Sequence, residues 1–254
     1  MESWQTLIQS FDERRDVVIP GDAEKTILYC AQQFIQIANR SIQDRGIFTG
    51  ALSGGSTPNA IYKLLSQEPY SKQIDWTKVL LFWSDERSVP PDQPDSNYRA
   101  AMKAGLDSLP IPEEHIFRMH AEDDIEEGAL EYEKKINEFV PSKKFDLVML
   151  GMGEDGHTAS LFPHTHALHT TGRYVVANHI PQKSTWRMTL TYECIHSAHH
   201  INIYVMGANK AEMVRKVLTG PYEPDLLPIQ RIGTPHHKAL WILDQAAAKG
   251  LLSK

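Results

Sequence analysis

Asp146-Leu-Val-Met-Leu-Gly-Met-Gly-Glu-Asp-Gly-His157-Thr-Ala-Ser-Leu-Phe-Pro163 carries an apolar strand directly into a glycine-rich turn that ends on a histidine. Glycine lets a backbone turn sharply and lets other groups come close to it. Histidine is the side chain whose ordinary charge change allows proton transfer near neutral pH. In open α/β sheets, ligands bind beyond the carboxyl ends of the strands. The stretch therefore predicts a rigid loop that presents a general base, His157, at a strand end.

Helix and strand patterns alternate on both sides of this stretch. Apolar residues recur at helical spacing between Asp22, a predicted N-cap, and Gly46, a predicted end. Strands are predicted at residues 47–53, 79–83, 145–150, 174–177, 188–191, 201–206 and 239–243, and further helices at 58–66, 97–106, 125–139 and 208–218. Such alternation predicts an α/β fold, in which helices cover both faces of a mostly parallel central sheet. The absence of any linker-length segment predicts one domain over residues 1–254.

Composition narrows the class of protein. The chain has 254 residues, a formal charge of −6 and 41% hydrophobic residues, which are ordinary values for a soluble globular protein. Without a basic excess to neutralise phosphates, nucleic acid is not expected as the main partner. No signal-peptide pattern opens the chain, and no apolar stretch approaches the roughly 20 residues of a membrane span. Cys30 and Cys194 lack metal or disulfide spacing, so two packed thiols and a cytoplasmic location are expected.

A second glycine-rich turn, Ser53-Gly54-Gly55-Ser56-Thr57-Pro58, lies between a predicted strand and a predicted helix. Thr57 is a good N-cap, and Pro58 suits the first helical position. The free N–H groups of such a helix start, together with those of the turn, form a cradle for an anion, usually phosphate. No Walker lysine follows. The alternative interpretation is a plain strand-to-helix turn.

A third strand ends in the charged residues Asp85, Glu86 and Arg87. We expect them at the carboxyl edge of the sheet. A carboxylate there can orient a histidine or a water, and the arginine fork can bind an oxyanion or a carboxylate. Taken alone, this tripeptide is more often a solvated turn or a helix cap.

The glycines around residues 151–156 match the GxGxxG pattern of dinucleotide-binding sites. Glu154 and Asp155 would face a pyrophosphate there, and no acidic residue about 20 positions further on could hold a ribose. No cofactor is therefore expected, and Asp155 is predicted to shape the turn or to fix the orientation of His157. Three histidines at positions 164, 166 and 169 lack the spacing of known metal motifs, so no metal is expected either.

Two further cations lie near strand boundaries. Arg187 occurs in Trp186-Arg-Met-Thr-Leu-Thr191, and Lys210 closes Met206-Gly-Ala-Asn-Lys210. A lysine in the first turn of a helix opposes the helix dipole, so a bound anion would explain Lys210. The alternative is a solvated lysine.

Taken together and in order, these segments resemble the glucosamine-6-phosphate isomerase/6-phosphogluconolactonase family, and within it the 6-phosphogluconolactonases. The resemblance is carried by Leu52-Ser-Gly-Gly-Ser-Thr-Pro58, Ser84-Asp-Glu-Arg-Ser-Val-Pro90, the 151–163 loop, Arg187-Met-Thr-Leu-Thr191 and Gly207-Ala-Asn-Lys210. It implies a Rossmann-like three-layer sandwich, shared with glucosamine-6-phosphate deaminase and ribose-5-phosphate isomerase. It also implies hydrolysis of 6-phospho-D-glucono-1,5-lactone in the oxidative pentose phosphate pathway.

Two positions separate this chain from the deaminases of that family. The deaminases have Asp-Glu-Tyr where this chain has Asp85-Glu86-Arg87, and a glutamate at the position of Phe162. Both departures favour the lactonase. A deaminase-like sugar-phosphate isomerase and a non-catalytic sugar-phosphate-binding regulator remain the alternatives.

The resulting hypothesis assigns a role to each candidate residue. His157 removes a proton from water, Asp85 holds His157 or the water in register, and Arg87 stabilises the oxyanion or the product carboxylate. The substrate phosphate is expected on the 54–57 turn, aided by Lys210 and Arg187. The expected partner is a small sugar phosphate, and a monomer is the default expectation for assembly.

Overall fold

The computed structural model describes residues 7–252, and within them ten strands form two sheets. The strands are β1 (Gln9–Ser10), β2 (Arg15–Val18), β3 (Phe48–Leu52), β4 (Val79–Trp83), β5 (Asp85–Arg87), β6 (Leu147–Leu150), β7 (Val175–Ile180), β8 (Thr185–Leu190), β9 (Ile201–Val205) and β10 (Ala239–Leu243). The larger sheet has the order β1-β2-β10-β9-β6-β3-β4. Its neighbouring strands are parallel except for β1 and β2. The predicted mostly parallel sheet is confirmed.

Helices cover both faces of this sheet. They are α1 (Ala23–Arg45), α2 (Ser56–Leu65), α3 (Asn97–Lys103), α4 (Ile125–Phe139), α5 (Tyr192–Ser197), α6 (Ala211–Thr219) and α7 (Lys249–Leu252). Alternate residues of a strand enter different cores: Leu81 and Trp83 pack with α1, α2 and α3, whereas Leu80 and Phe82 pack with α4, α5 and α6. Because successive side chains of a strand point to opposite faces, the two cores define three layers. The predicted three-layer α/β class is confirmed.

The ends of the first helix follow the sequence signals. The Asp22 carboxylate accepts a hydrogen bond from the N–H of Lys25 at 2.9 Å. At the other end, Gly46 adopts φ 84° and its N–H donates to the carbonyl of Ile42. Glycine takes this left-handed conformation without the steric cost that a Cβ would impose. Both predicted ends are confirmed.

The start of α2 differs from its prediction. The N-cap is Gly55, at φ 110°, and the helix begins at Ser56, so Thr57 lies inside the first turn and Pro58 is the third helical residue. Glycine supports the positive φ at which the chain turns here. The prediction of Thr57 as N-cap is therefore wrong by two residues. As a result, no cap side chain occupies the first N–H groups of the helix.

The second sheet was not predicted. It has the order β5-β8-β7, and both of its strand pairs are antiparallel. Ser84 joins the two sheets, because its N–H donates to Leu52 and its carbonyl accepts from the N–H of Leu190. Short polar strands give no periodic apolar signal, which is why Asp85–Arg87 was interpreted as a strand end, turn or cap.

Other strands begin or end a few residues away from their predicted positions. Strands β7 and β8 extend the predictions at 174–177 and 188–191 toward their connecting turn, and strands β1 and β2 and helix α5 were not predicted. Cys30 and Cys194 are buried free thiols, as predicted. No helix in the described part of the chain is long and apolar enough to span a membrane.

Candidate active site

A cavity of about 210 Å³ lies where the carboxyl ends of β3 and β6 meet the small sheet. The segment after β3 supplies the 53–55 turn, and the segment after β6 supplies the histidine loop. Strands β5 and β8 supply charged side chains. The structure brings the following predicted residues together around it: Gly54, Gly55, Asp85, Arg87, His157 and Arg187.

The turn after β3 lines the cavity with the backbone of two glycines, Gly54 and Gly55. Gly55 caps α2 without a side-chain hydrogen bond, so the first N–H groups of the helix keep their capacity to donate. A Cβ at Gly54 would overlap the side-chain amide of Asn97. Only glycine fits at position 54 without displacing that amide. The turn therefore combines close backbone approach with the positive end of a helix dipole, an arrangement that favours an anion.

The histidine loop is held by its own backbone and by one carboxylate. The N–H of Gly153 donates to the carbonyl of His157 at 2.8 Å, which closes the turn. Asp155 Oδ1 accepts from the backbone N–H of His157 at 3.1 Å and lies 2.5 Å from its Nδ1. The predicted orientation of His157 by Asp155 is confirmed. Because the carboxylate requires a hydrogen on Nδ1, the neutral ring carries its free lone pair on Nε2.

The surroundings of His157 keep its ring fixed and accessible. The ring stacks on Phe162, with centroids 3.9 Å apart and planes 18° from parallel, and its side chain remains 23% exposed. Gly153 also lies so close to the ring that a Cβ there would overlap Nδ1. Partial burial raises the pKa of Asp155, but the hydrogen bond and charge of His157 outweigh it and bring that pKa to about 2. Asp155 is therefore an ionised partner at neutral pH.

Two arginines face each other across the small sheet. Arg87 on β5 pairs in register with Arg187 on β8, and both line the cavity. Arg87 Nη1 donates to the carbonyl of Asp95. The Nε atoms of both arginines are buried and have no hydrogen-bond partner within residues 7–252. Burial and the charge of Arg87 lower the pKa of Arg187. Buried donors and adjacent like charges are costly, and an anion in the cavity would satisfy both.

The two carboxylates of the Asp85-Glu86 pair have different neighbours. Buried Glu86 accepts hydrogen bonds from the backbone N–H groups of Arg87, Asn97 and Tyr98, so it holds the start of α3. Asp85 accepts from the Ser160 hydroxyl at 2.6 Å and from the Asn97 amide at 3.3 Å. Of the two roles predicted for Asp85, the orientation of His157 is wrong, because the carboxylate against that ring is Asp155. The orientation of the attacking water stays a prediction.

Three predicted phosphate ligands do not line the cavity: Ser56, Thr57 and Lys210. Ser56 and Thr57 belong to the first turn of α2, where backbone N–H groups have no acceptor within the helix. Lys210 Nζ donates to the carbonyl of Met152 at 3.1 Å, and Met152 does line the cavity. Lys210 is therefore attached to the histidine loop, beside the cavity.

Four residues that line the cavity are not predicted as site residues from the sequence: Asn97, Ser160, Phe162 and Lys183. Asn97 begins a predicted helix and Ser160 lies within the quoted histidine loop, but their partner, Asp85, is more than ten residues away from each. Phe162 was noted only as a departure from the deaminases. Lys183 lies in the turn between β7 and β8, with its Nζ 5.2 Å from the Phe162 ring centroid. No local pattern marks a lysine in such a turn.

Within residues 7–252, no group of three or more His, Cys, Asp or Glu side chains is arranged to hold a metal ion. The cavity instead combines a histidine, a glycine-rich helix start and several cations. A three-layer α/β fold with this cavity at its strand ends defines a class of enzymes that act on small anionic metabolites.

Comparisons with known proteins identify the family within that class. The family model described as glucosamine-6-phosphate isomerases/6-phosphogluconolactonase matches residues 21–241. A relative named 6-phosphogluconolactonase from Chlamydia trachomatis serovar D is 42% identical over 247 residues, covering 96% of this chain and 93% of the relative. One from Haemophilus influenzae is 37% identical, covering 78% and 85%. The chain belongs to the glucosamine-6-phosphate isomerase/6-phosphogluconolactonase family.

The fold agrees with solved structures. The 6-phosphogluconolactonase from Trypanosoma cruzi superimposes with a TM-score of 0.81 at 28% identity, covering 97% of this chain and 99% of that chain.

Proposed function

We propose that this protein hydrolyses 6-phospho-D-glucono-1,5-lactone to 6-phospho-D-gluconate. The observation that carries the proposal is His157, held by Asp155, in one cavity with two arginines whose Nε donors have no hydrogen-bond partner among residues 7–252. The first group can activate water, and the second can bind the anionic groups of substrate and product. The names of the family's relatives agree with this assignment.

The chemistry follows from the tautomer of His157. With Nδ1–H held by Asp155, Nε2 takes a proton from water as the water oxygen attacks the lactone carbonyl. The carbonyl oxygen then carries the negative charge, which Arg87 stabilises. When the tetrahedral intermediate collapses, the bond to the ring oxygen breaks, and His157 returns its proton to that oxygen. The products are a hydroxyl and a carboxylic acid, and the acid releases its proton to solvent to give the carboxylate, with no net change in the histidine.

The substrate phosphate is proposed to occupy the helix start at Gly54 and Gly55. The first N–H groups of α2 donate to it there, and Arg187 adds its charge. Lys210 keeps two of the three donors of its ammonium after its bond to Met152, so it remains a candidate at the edge of this subsite. Binding at this far end places the lactone carbonyl against His157.

Phe162 supports hydrolysis over deamination. The deaminases that the sequence resembles have a glutamate at this position, whereas here an apolar ring packs flat on His157. A carboxylate that could help a histidine handle an amine is therefore replaced by a hydrophobic surface. Arg87, where the deaminases have tyrosine, supplies a cation suited to an oxyanion.

A coupled assay tests the proposal. Glucose-6-phosphate dehydrogenase generates the lactone in place, and 6-phosphogluconate formation is followed in the presence and absence of the purified protein. We expect a rate well above spontaneous hydrolysis. Ammonia release from glucosamine 6-phosphate would instead indicate a deaminase. If the protein binds sugar phosphates but the lactone is hydrolysed only at its spontaneous rate, the protein is a non-catalytic regulator. The buried thiols agree with action in a reducing cytoplasm.

A further inference from the structure

The residues that line the cavity include one carboxylate, that of Asp85, among four groups that are or can become cationic: Arg87, His157, Lys183 and Arg187. A carboxylate in an anion-binding cavity repels the anion and weakens its binding. Asp85 is also 7% exposed, so it is a largely desolvated charge. Its charge partly balances the neighbouring Arg187, and its place in the cavity wall also leaves it open to a ligand group other than phosphate.

The hydrogen-bond partners of Asp85 are neutral. Oδ2 accepts from the Ser160 hydroxyl at 2.6 Å, and Oδ1 accepts from the Asn97 amide at 3.3 Å. Both partners are buried. An ionised carboxylate has about four acceptor sites, so two remain after these bonds. Because Asp85 lines the cavity, the unused lone pairs are available to a ligand there.

We propose that Asp85 recognises the hydroxyl groups of the phosphorylated sugar and determines the specificity of the site for a polyhydroxy substrate. Hydroxyl groups are neutral donors, and a carboxylate is the acceptor that binds them most strongly. This inference rests on the proposed function, because it specifies the ligand of the same cavity. In this proposal, the Asp85 carboxylate accepts a hydrogen bond from the substrate and not from His157.

The same contacts fix where this acceptor lies relative to the rest of the site. Asn97 Nδ2 also donates to the backbone carbonyl of Asp85 at 2.9 Å, and the same amide packs against Gly54 in the anion-binding turn. Ser160 belongs to the histidine loop, three residues after His157. Asp85 is thus tied to the phosphate end of the cavity and to its reactive end. Asn97 and Ser160 are positioning residues that hold the hydroxyl acceptor at a constant distance from both.

Binding measurements with product analogues test the proposal without turnover. The probes are 6-phosphogluconate, its 2-, 3- and 4-deoxy analogues, and inorganic phosphate, each titrated calorimetrically into the full chain. In the wild-type protein, we expect at least one deoxy analogue to bind about 10- to 100-fold more weakly than the parent, the size of a lost charge-assisted hydrogen bond. In Asp85→Asn and Asp85→Ala, that difference should shrink to within about threefold.

The affinity for inorganic phosphate should change in the opposite direction from the affinity for 6-phosphogluconate. Removal of the Asp85 charge should leave phosphate affinity unchanged or increase it, whereas affinity for 6-phosphogluconate should fall. A variant that merely misfolds would lose both. Ser160→Ala should also reduce the ratio of the affinities for the parent and the deoxy analogue, but by less than Asp85→Ala does. Asp92→Ala removes an exposed carboxylate in the nearby loop and should leave every affinity at the wild-type value.

The proposal is overturned if Asp85→Asn keeps the full preference for the parent over each deoxy analogue. It is equally overturned if binding is unchanged and only kcat falls, since Asp85 would then act on the attacking water. Failure of the lactonase assay with discrimination intact would reject the proposed reaction but not the role of Asp85. The two hypotheses are thus separable in one set of proteins.

Discussion

The histidine loop at residues 151–163 and the small antiparallel sheet contribute to the cavity in contrasting ways. In the loop, local hydrogen bonds fix one ring: Asp155 holds His157, and Gly153 closes the turn. In the sheet, strand pairing brings Arg87 and Arg187 together, and their Nε donors find no hydrogen-bond partner in the described part of the chain. The first region is complete in itself, whereas the second requires a ligand. We therefore expect His157 of the loop to act on the rate of reaction and Arg187 of the sheet to act on the affinity for anions, while Arg87 acts on the oxyanion.

Replacement of His157 gives the largest expected effect. His157→Ala removes the proposed base, and general-base assistance typically contributes about 10²- to 10⁴-fold. We expect kcat to fall within that range, while the Kd for 6-phosphogluconate changes by less than about threefold. The matched control is His166→Ala, an exposed histidine a few residues further along, which should keep wild-type kinetics. Unchanged kcat in His157→Ala would refute the base role and, with it, the contrast between the two regions.

The loop is also the region that the sequence predicted best. An apolar run, clustered glycines and a terminal histidine are local signals, and every contact that orients His157 lies within a few residues of it. The same holds for α1, whose cap and end are marked by Asp22 and Gly46. Local chemistry sufficed there, because the partners are neighbours in the chain.

Two glycines of the same turn test how tightly the loop fixes the ring. A methyl group at Gly153 would overlap His157 Nδ1, whereas one at Gly151 would meet its nearest atom, Ser53 Oγ, at 3.9 Å. Gly153→Ala should therefore displace the ring from Asp155 and lower kcat by about 10- to 100-fold, since small misplacements of a reacting group are costly. Gly151→Ala, the matched control, should lose much less. Steady-state kinetics of both variants measure the difference, and equal losses would contradict a steric brace at position 153.

Replacement of Arg187 in the sheet should change KM rather than kcat. Arg187→Met keeps an unbranched apolar stem but removes a half-buried guanidinium that lines the cavity. Charge-assisted hydrogen bonds contribute about 1.5–3 kcal/mol, so KM should rise about 10- to 100-fold with kcat changed by less than about threefold. Arg40→Met, on the exposed face of α1, is the matched control. A fall in kcat at constant KM would assign Arg187 to the chemistry and would remove the division between the two regions.

Sequence reasoning could not recover this second region in full. Asp85, Glu86 and Arg87 were recognised as charged residues at a strand end, but their strand pairs with residues about 100 positions later. That pairing decides that Asp85 contacts Ser160 and that Arg87 faces Arg187. Long-range pairing leaves no mark in a short polar segment, so the partners and the wrong assignment of Asp85 to His157 became visible only in the fold.

Lys210 lies between the two regions and should give a smaller effect. Its Nζ donates to Met152 at the entrance of the histidine loop, and its remaining donors are proposed to reach the substrate phosphate. Lys210→Ala should raise KM for the lactone about three- to tenfold, with little change in kcat. Lys103→Ala, at the end of α3 and outside the cavity, is the control. An unchanged KM would exclude Lys210 from the phosphate subsite, and a fall in kcat alone would assign it to the loop.

The smallest expected effect is the acid dependence of stability that Asp155 confers. Its pKa in the folded protein is about 2, below the ordinary value of 3.8. A carboxylate with a depressed folded pKa contributes stability that is present above the ordinary value and is lost as the pH falls through the folded value. The free energy of unfolding should therefore differ between wild type and Asp155→Asn by a constant amount at pH 5–7. That difference should shrink between about pH 4 and 2.

Because the Asp155 side chain is 47% exposed, solvent screens the pair, and the difference should not exceed about 1 kcal/mol. Denaturant unfolding of both proteins across this pH range measures it, and Asp123→Asn, an exposed carboxylate before α4, is the control. A difference that persists unchanged at pH 2 would mean that Asp155 stabilises the loop through its backbone contact with His157 and not through its charge. The loop would then be rigid for reasons independent of ionisation, and kcat in Asp155→Asn would fall only through the lost orientation of the ring.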